Sequence, residues 1–333
     1  MGDKKPKNCL VTGATGVIGV PLVEELIKEG HRVTILARDA SKTDFFPDSV
    51  KIVRGDLSDR KSLEKASDEA EWIFHLAAKL HISNPSPELR GEYLETNVEG
   101  TRRLLEIAAR NRTEKFVFFS TINVYGASRR PEIFDETSPL NPIGFYGESK
   151  VLAENLVKEA KNSEGKKIGV CLRPAAVYGS RMKGNYLQLA RAIKRGRFFF
   201  IGDAQNRRTL IHQKDAARAA VTAAEKADGG SVYNVTDGEI HSFREIVEEI
   251  SRAAGVRPPR LQMPVAPFRI GFDALHLLEK FTGLKFPFNK AMLEKLLEDI
   301  AVSGEKIQKE LGFRPQFDLR KGWLETFEIS RES

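Results

Sequence analysis

Apolar residues cluster in short runs along the first 175 residues. The runs 8–12 (NCLVT), 32–37 (RVTILA), 50–54, 72–76 (WIFHL), 115–120 (KFVFFS) and 168–173 (IGVCLR) predict strands. Their near-continuous hydrophobicity predicts burial on both faces, as in a parallel sheet. Between them, apolar positions at helical spacing predict helices near 17–29, 59–68, 91–111 and 146–162. In the last of these, Val151, Leu152, Asn155, Leu156 and Ala160 keep one spacing. Strand–helix alternation of this kind predicts an α/β fold with a doubly wound parallel sheet.

After residue 175 the pattern changes. Helices are expected near 185–195, 212–226 and 242–254, followed by the Pro-rich RPPRLQMPVAP. A stretch rich in Phe and Leu, 268–288, comes next, then a helical pattern and LGFRPQFDLRKGWLET. The division expected is a dinucleotide-binding domain, 1–175, and a smaller α/β substrate lobe, 176–333. The two are partly interleaved, because 212–240 can return to the main domain through the strand-like GSVYNVT at 230–236.

Composition narrows the class. Of 333 residues, 41% are hydrophobic and 30% charged, as expected of a folded globular chain rather than a disordered one. No uncharged apolar run reaches ~18 residues, so no transmembrane helix is expected. The lysines before NCLVT precede a short, glycine-broken stretch, which reads as a first strand rather than a signal peptide. Gly2 lacks the Ser or Thr that myristoylation favours, so no lipid anchor is expected. Cys9 and Cys171 both fall in strand-like runs, which predicts buried thiols, no disulfide framework, no metal site and a reducing cytoplasm.

Charge is uneven. The net charge is +7, and the segment from Arg181 to Arg208, with eight basic residues and Asp203, carries all of it. Such an excess implies an anionic partner: a phosphorylated small molecule, an acidic membrane or nucleic acid. Nucleic acid is disfavoured, because no helix-turn-helix, zinc-finger or RNA-binding aromatic signature accompanies the charge. If the 268–288 stretch is exposed rather than core, it can touch a lipid-linked sugar or a membrane face.

The first strand runs into Gly13-Ala14-Thr15-Gly16-Val17-Ile18-Gly19 and then a helix. This strand–turn–helix context reads as a Rossmann dinucleotide loop. Gly13 makes the tight turn, Gly16 admits a pyrophosphate, Gly19 lets helix pack on strand, and the helix N-terminus faces phosphate. Arg38 follows the second strand where an NAD site usually places an acid, with Asp39 one step late. A guanidinium there suits the 2′-phosphate of NADP, so NADP is favoured over NAD. Asp56, after the third strand, can accept from the adenine amino group, with Leu57 against the ring. The cap of the following helix is expected from Ser58 or Asp59.

Tyr146 and Lys150 stand at i and i+4, on one helix face. An ammonium beside a phenol stabilises phenolate and brings tyrosine toward acid/base work. Ser120 and Thr121 end the fifth strand, at the edge where open α/β sheets bind ligands.

The ordered motifs TGATGVIG, GDL, HLAA, TNVEGT, FFSTINVYG, FYGESK and RPAAVYG span most of the chain. Together they resemble the extended short-chain dehydrogenase/reductase family, in its epimerase/dehydratase branch. The resemblance implies Tyr146 as acid/base and Lys150 as its electrostatic partner, also holding the nicotinamide ribose. It implies that Thr121 hydrogen-bonds the reacting oxygen, with Ser120 beside it. Leu76, Ala77 and Ala78 would line the cofactor, Asn97 would buttress the site, and Pro174 and Ala175 would border the nicotinamide. It also implies pairing of the helices 91–111 and 146–162 in a homodimer.

The segments VYGSRMKGNYLQLARAIKRG and GDAQNRRTLIHQKDAARA are similar to the substrate lobe of bacterial nucleotide-sugar 4-keto-reductases and 4-epimerases. Arg208 matches the diphosphate-binding arginine and Asn185 the polar anchor, with Arg181 and Lys183 close by. Ala176 stands where UDP-galactose epimerases place a polar residue. Arg38 favours NADPH-linked reduction of a sugar C4 ketone, with C4 epimerisation close behind. A hydroxysteroid or dihydroflavonol-type reductase and a non-catalytic NADP-binding sensor or scaffold are the alternatives.

Overall fold

The computed structural model describes residues 5–80, 86–128, 130–271 and 290–332. The first half alternates as expected: β1 (Asn8–Thr12), α1 (Gly19–Lys28), β2 (Arg32–Ala37), β3 (Lys51–Arg54), α2 (Arg60–Ser67) and β4 (Trp72–His75). Then come α3 (Leu89–Tyr93), α4 (Gly100–Arg110), β5 (Lys115–Phe119), α5 (Gly144–Glu159) and β6 (Gly169–Pro174). One expected helix differs. The 91–111 pattern is divided by a π-helical turn, Leu94–Glu99, between α3 and α4. Such turns widen the helix locally and gather at functional sites.

In the C-terminal half lie β7 (Ala176–Tyr178), α6 (Asn185–Lys194), β8 (Phe200–Ile201), β9 (Arg207–Arg208), β10 (Leu210–His212) and α7 (Gln213–Lys226). β11 (Val232–Val235), β12 (His241–Ser242), α8 (Phe243–Ala253) and β13 (Gln262–Met263) follow. The chain ends with α9 (Lys290–Leu297), α10 (Glu305–Leu311) and α11 (Leu319–Glu332). Seven strands form one parallel sheet in the order β11-β6-β5-β4-β1-β2-β3. This is the Rossmann order with one added strand, and the strand order reverses between β1 and β4. The 230–236 run does add to the sheet, through β11 on β6.

Alternation along each strand divides the core. Leu10, Ile73, Phe116, Phe118 and Cys171 face one helix layer, and Val11, Phe74, Val117, Phe119 and Leu172 the other. α7 closes the second layer against α1; its Ala216, Ala217, Ala219, Ala220, Ala223 and Ala224 are all buried, and their small size permits close packing. A third core fills the C-terminal lobe, where Trp323 is fully buried and stacks on Tyr178 at 4.8 Å between ring centres. Cys9 and Cys171 are buried free thiols. No helix among the described residues is long and apolar enough to cross a membrane.

Candidate active site

β1 delivers the glycine loop to the carboxyl edge of the sheet. Gly13 has φ +73°, and a Cβ on it would lie 2.7 Å from the Ala77 nitrogen. That close approach brings the ends of β1 and β4 together, with Leu76, Ala77 and Ala78 beside the loop. The loop closes on itself through Gly16 N–H to Gly13 O at 3.0 Å. A Cβ on Gly19 would fall 2.3 Å from Gly13 O, so α1 can start only with glycine there. Ile18 at its N-cap provides no side-chain acceptor, and the first turn holds no acid. The amides of Thr15, Val17 and Ile18 therefore stand in a loop whose polarity suits an anion.

At the ends of β2 and β3 stand Arg38 and Arg54, which line a shallow cleft with Gly55, Asp56 and Asp59. The Arg38 side chain is 83% exposed and reaches Asp56 Oδ2 at 3.9 Å from Nε. Asp39 does not face this cleft as a free carboxylate. Its Oδ1 accepts from Ser41 N–H at 3.2 Å and Ser41 O–H at 2.7 Å, which holds its carboxyl below the usual range. Asp59 caps α2, accepting from Lys61 N–H, as expected. Asp56 is itself engaged, since its Oδ1 accepts from Ser58 N–H at 2.9 Å and Ser58 O–H at 2.8 Å. Leu57, expected against the adenine ring, has its side chain buried beside α4, where a Cβ on Gly100 would lie 2.9 Å from Leu57 Cβ.

α5 carries Tyr146 and Lys150 one turn apart, with Lys150 Nζ 5.9 Å from the Tyr146 ring centre. Lys150 is buried, donates to Phe119 O at 2.7 Å and lies 4.5 Å from the Phe118 ring centre. Burial lowers its ammonium to about 7, with Glu154 opposing in part. Burial, and then the neighbouring Tyr93, raise the Tyr146 phenol. Burial thus outweighs the depression of the phenol expected from Lys150. Lys150 binds a strand carbonyl, and Tyr146 is a neutral phenol able to donate a proton. Thr121 Oγ1 accepts from Asn123 N–H at 3.2 Å. Ser120 Oγ is buried without a hydrogen-bond partner among the described residues, a cost that a bound polar group would remove. Pro174 and Ala175, at the end of β6 beside β5, are buried.

A polar chain runs under this site. Ala77 N–H donates to Thr12 Oγ1 at 3.3 Å, and Thr12 Oγ1 lies 2.7 Å from His75 Nδ1. His75 Nε2 lies 3.0 Å from Thr101 Oγ1, which donates to Asn97 O at 2.7 Å. Because Thr101 gives its proton to Asn97 O, it accepts from His75, which fixes the Nε2–H tautomer. Asn97, in the π-helical turn, accepts from Lys79 N–H at 2.7 Å and donates to Lys79 O at 3.1 Å and Ser149 Oγ at 2.9 Å. Ser149 O–H in turn donates to Tyr146 O at 2.8 Å. Asn97 therefore pins the Tyr146 helix to the end of β4. Burial pushes the His75 imidazole down to about 3, with Lys150 adding to the effect. His75, Thr101, Ser149, Tyr93 and Arg54 escaped the sequence reading. HLAA and TNVEGT contained His75 and Thr101, but only three-dimensional contact shows the chain they form.

The substrate-lobe residues are less gathered. Arg181 is exposed, with its guanidinium carbon 4.8 Å from the Phe45 ring centre. Lys183 and Asn185, at the start of α6, are exposed. Arg208 is held by the backbone. Its guanidinium donates to the carbonyls of Glu298 and Leu296, the latter at 3.1 Å, and so ties β9 to the end of α9 and the chain after it. Most of the 268–288 stretch lies outside the described residues.

Known proteins resemble this chain in sequence and fold. The pattern of the NAD dependent epimerase/dehydratase family matches residues 9–236. The chain belongs to that family. It is an enzyme of the extended short-chain dehydrogenase/reductase type. Over 317 residues it is 26% identical to the N-acetyl-alpha-D-glucosaminyl-diphospho-ditrans,octacis-undecaprenol 4-epimerase of Escherichia coli O157:H7, covering 95% of this chain and 92% of that one. The Thermotoga maritima UDP-glucose 4-epimerase, solved with UDP-glucose, superposes with a TM-score of 0.78 at 25% identity, covering 98% of this chain and 99% of that one. The Thermus thermophilus UDP-glucose 4-epimerase, solved with NAD, gives a TM-score of 0.77 at 28% identity, covering 98% of this chain and 99% of that one.

Proposed function

We propose that the protein transfers hydride between NADP and C4 of a sugar carried on a diphosphate, with reduction of a 4-keto sugar as the favoured direction. The corner at β2 and β3 carries this reading. Arg38 is open to solvent, Arg54 stands beside it, and Asp39, the nearby acid that could hold a ribose 2′-hydroxyl, is tied to Ser41. Two guanidiniums suit a 2′-phosphate better than a hydroxyl.

The residues present fit a dinucleotide. The glycine loop leaves no room for side chains, and the α1 amides are uncapped. When bound, the nicotinamide supplies hydride chemistry at the sugar carbon. The protein does the rest. Tyr146 gives its phenolic proton to the sugar oxygen as an alkoxide develops, and reclaims it in the reverse direction. Thr121 and the unpaired Ser120 hydroxyl orient that oxygen. Lys150, with an amine tuned near neutrality, carries positive charge toward Tyr146 and the ribose. Asn97, through Ser149, keeps Tyr146 in place. Arg208, Arg181, Lys183 and Asn185 are the groups that would meet a diphosphate. We place the enzyme in the cytoplasm as a homodimer through α4 and α5, where Leu152 stands 45% exposed.

C4 epimerisation is the second reading, favoured by the 4-epimerases among the relatives. It uses the same groups in both directions on one substrate. One titration separates the readings. NADP(H) should bind exchangeably and at least ~10-fold more tightly than NAD(H), a difference of about 1.4 kcal/mol that Arg38→Ala removes. NAD retained through purification, with equal or weaker NADP binding, would overturn reduction in favour of epimerisation.

A further inference from the structure

We propose that one edge of the C-terminal lobe docks on an anionic phospholipid membrane. The inference goes beyond the catalytic reading and does not depend on it. From Arg181 to Gly202 the chain has six cations and no acid. α6 buries Ala190 and Ile193 in the lobe core and leaves Arg191 and Lys194 exposed. Arg195 and Arg197 follow, also exposed. β8 then pairs in parallel with β13, and Phe200 N–H donates to Leu261 O at 2.9 Å. This pairing sets Arg260 and Leu261 beside the basic segment. Phe199 stacks on Phe268 at 6.0 Å between ring centres, which brings the 265–271 turns to the same edge.

Two observations together point to a membrane. Among the described residues, no carboxylate pairs with Arg191, Lys194, Arg195, Arg197, Arg257 or Arg260, whereas the neighbouring Arg252 and Arg269 pair with Glu249 and Glu294. The helix dipole favours a cation in the last turn of α6, but Arg197, Arg257 and Arg260 lie outside any helix. A large aliphatic side chain stands beside these charges, since Leu261 is 60% exposed next to Phe200, and Ile270, 71% exposed, lies on the adjoining 265–271 segment. Unpaired cations interleaved with exposed aliphatics match the headgroup and acyl boundary of an anionic bilayer. Single-stranded nucleic acid would ask for exposed aromatic platforms instead.

Vesicle co-sedimentation of the full chain tests this. Vesicles of phosphatidylcholine with about one third phosphatidylglycerol should take up the protein at least ~10-fold better than phosphatidylcholine alone at low salt. The preference should vanish near 1 M salt, where charges are screened within about 3 Å. The combined Arg191→Gln, Lys194→Gln, Arg195→Gln and Arg197→Gln protein should lose it while keeping its dinucleotide binding. Leu261→Asp should weaken it with the cations intact. Equal uptake by both vesicle types, or uptake unchanged in the four-fold variant, would overturn the proposal. So would displacement from the vesicles by a single-stranded oligonucleotide, which would identify nucleic acid as the better ligand.

Discussion

The floor of the active site and the basic edge of the C-terminal lobe use polar residues in opposite ways. Under the site, charge is buried and matched. Arg173 meets Glu154 through two bonds, Nε to Oε1 at 2.9 Å and Nη2 to Oε2 at 2.6 Å, and its Nη1 reaches the Tyr125 hydroxyl oxygen at 2.8 Å. Tyr125 donates its own proton to Asn234 Oδ1 at 2.8 Å, so the network joins α5 to β6 and β11. Glu154 sits one turn past Lys150 and two past Tyr146 on the same helix face. At the basic edge, exposed cations have no carboxylate partner among the described residues. Matched buried charge fixes geometry; unmatched exposed charge is available to a partner.

Breaking the matched pair should have the largest effect. Glu154→Gln leaves the Arg173 charge buried and uncompensated, and should cost about 3 kcal/mol or more of stability in urea unfolding. The four-fold glutamine variant of the basic edge should change stability by less than about 1 kcal/mol, because exposed substitutions remove little. Equal losses in the two proteins would erase the contrast. Chemistry should follow the floor as well. Tyr146→Phe should retain dinucleotide binding and lose at least ~100-fold in turnover on a sugar-nucleotide substrate, since it removes only the transferable proton. Near-normal turnover would reassign the acid.

Local spacing alone makes part of this site legible in the sequence. The glycine trio sits where strand becomes helix, and Tyr146 and Lys150 sit four residues apart, so each pattern reports a geometry that one element fixes by itself. Long-range contacts are another matter. Arg173 and Glu154 lie on different elements, and nothing in their spacing predicts two hydrogen bonds. Leu57 and Arg208 show the related limit. Their positions in the sequence place their backbones near the site, yet packing turns Leu57 inward against Gly100, and the carbonyls of Leu296 and Glu298 capture Arg208. The π-helical turn at 94–99 also hides within an unbroken helical pattern, because it arises where Asn97 reaches across to Lys79.

His75 offers the finest test of the matched floor, through pH. Its imidazole accepts from Thr12 and donates to Thr101, so the neutral Nε2–H form satisfies both neighbours and a second ring proton would have no acceptor. Burial lowers its folded pKa to about 3 from an ordinary value of 6.5. Above pH 6.5 the ring is neutral in both the folded and the unfolded chain, and it adds no pH dependence to stability. Below pH 6.5 the unfolded chain takes up a proton that the folded one refuses. Stability from this group should therefore fall by about 1.4 kcal/mol for each pH unit lost, until pH approaches the folded value. Urea unfolding at pH 7 and pH 5 reads the change. His75→Gln, which has no ring to protonate, should lose about 2 kcal/mol less than the parent over that interval. Carboxylates titrate in both proteins and cancel in the difference. An identical loss in the two would mean that His75 takes up its proton as readily in the folded chain as in the unfolded one, and the tautomer that links Thr12 to Asn97 would be wrong.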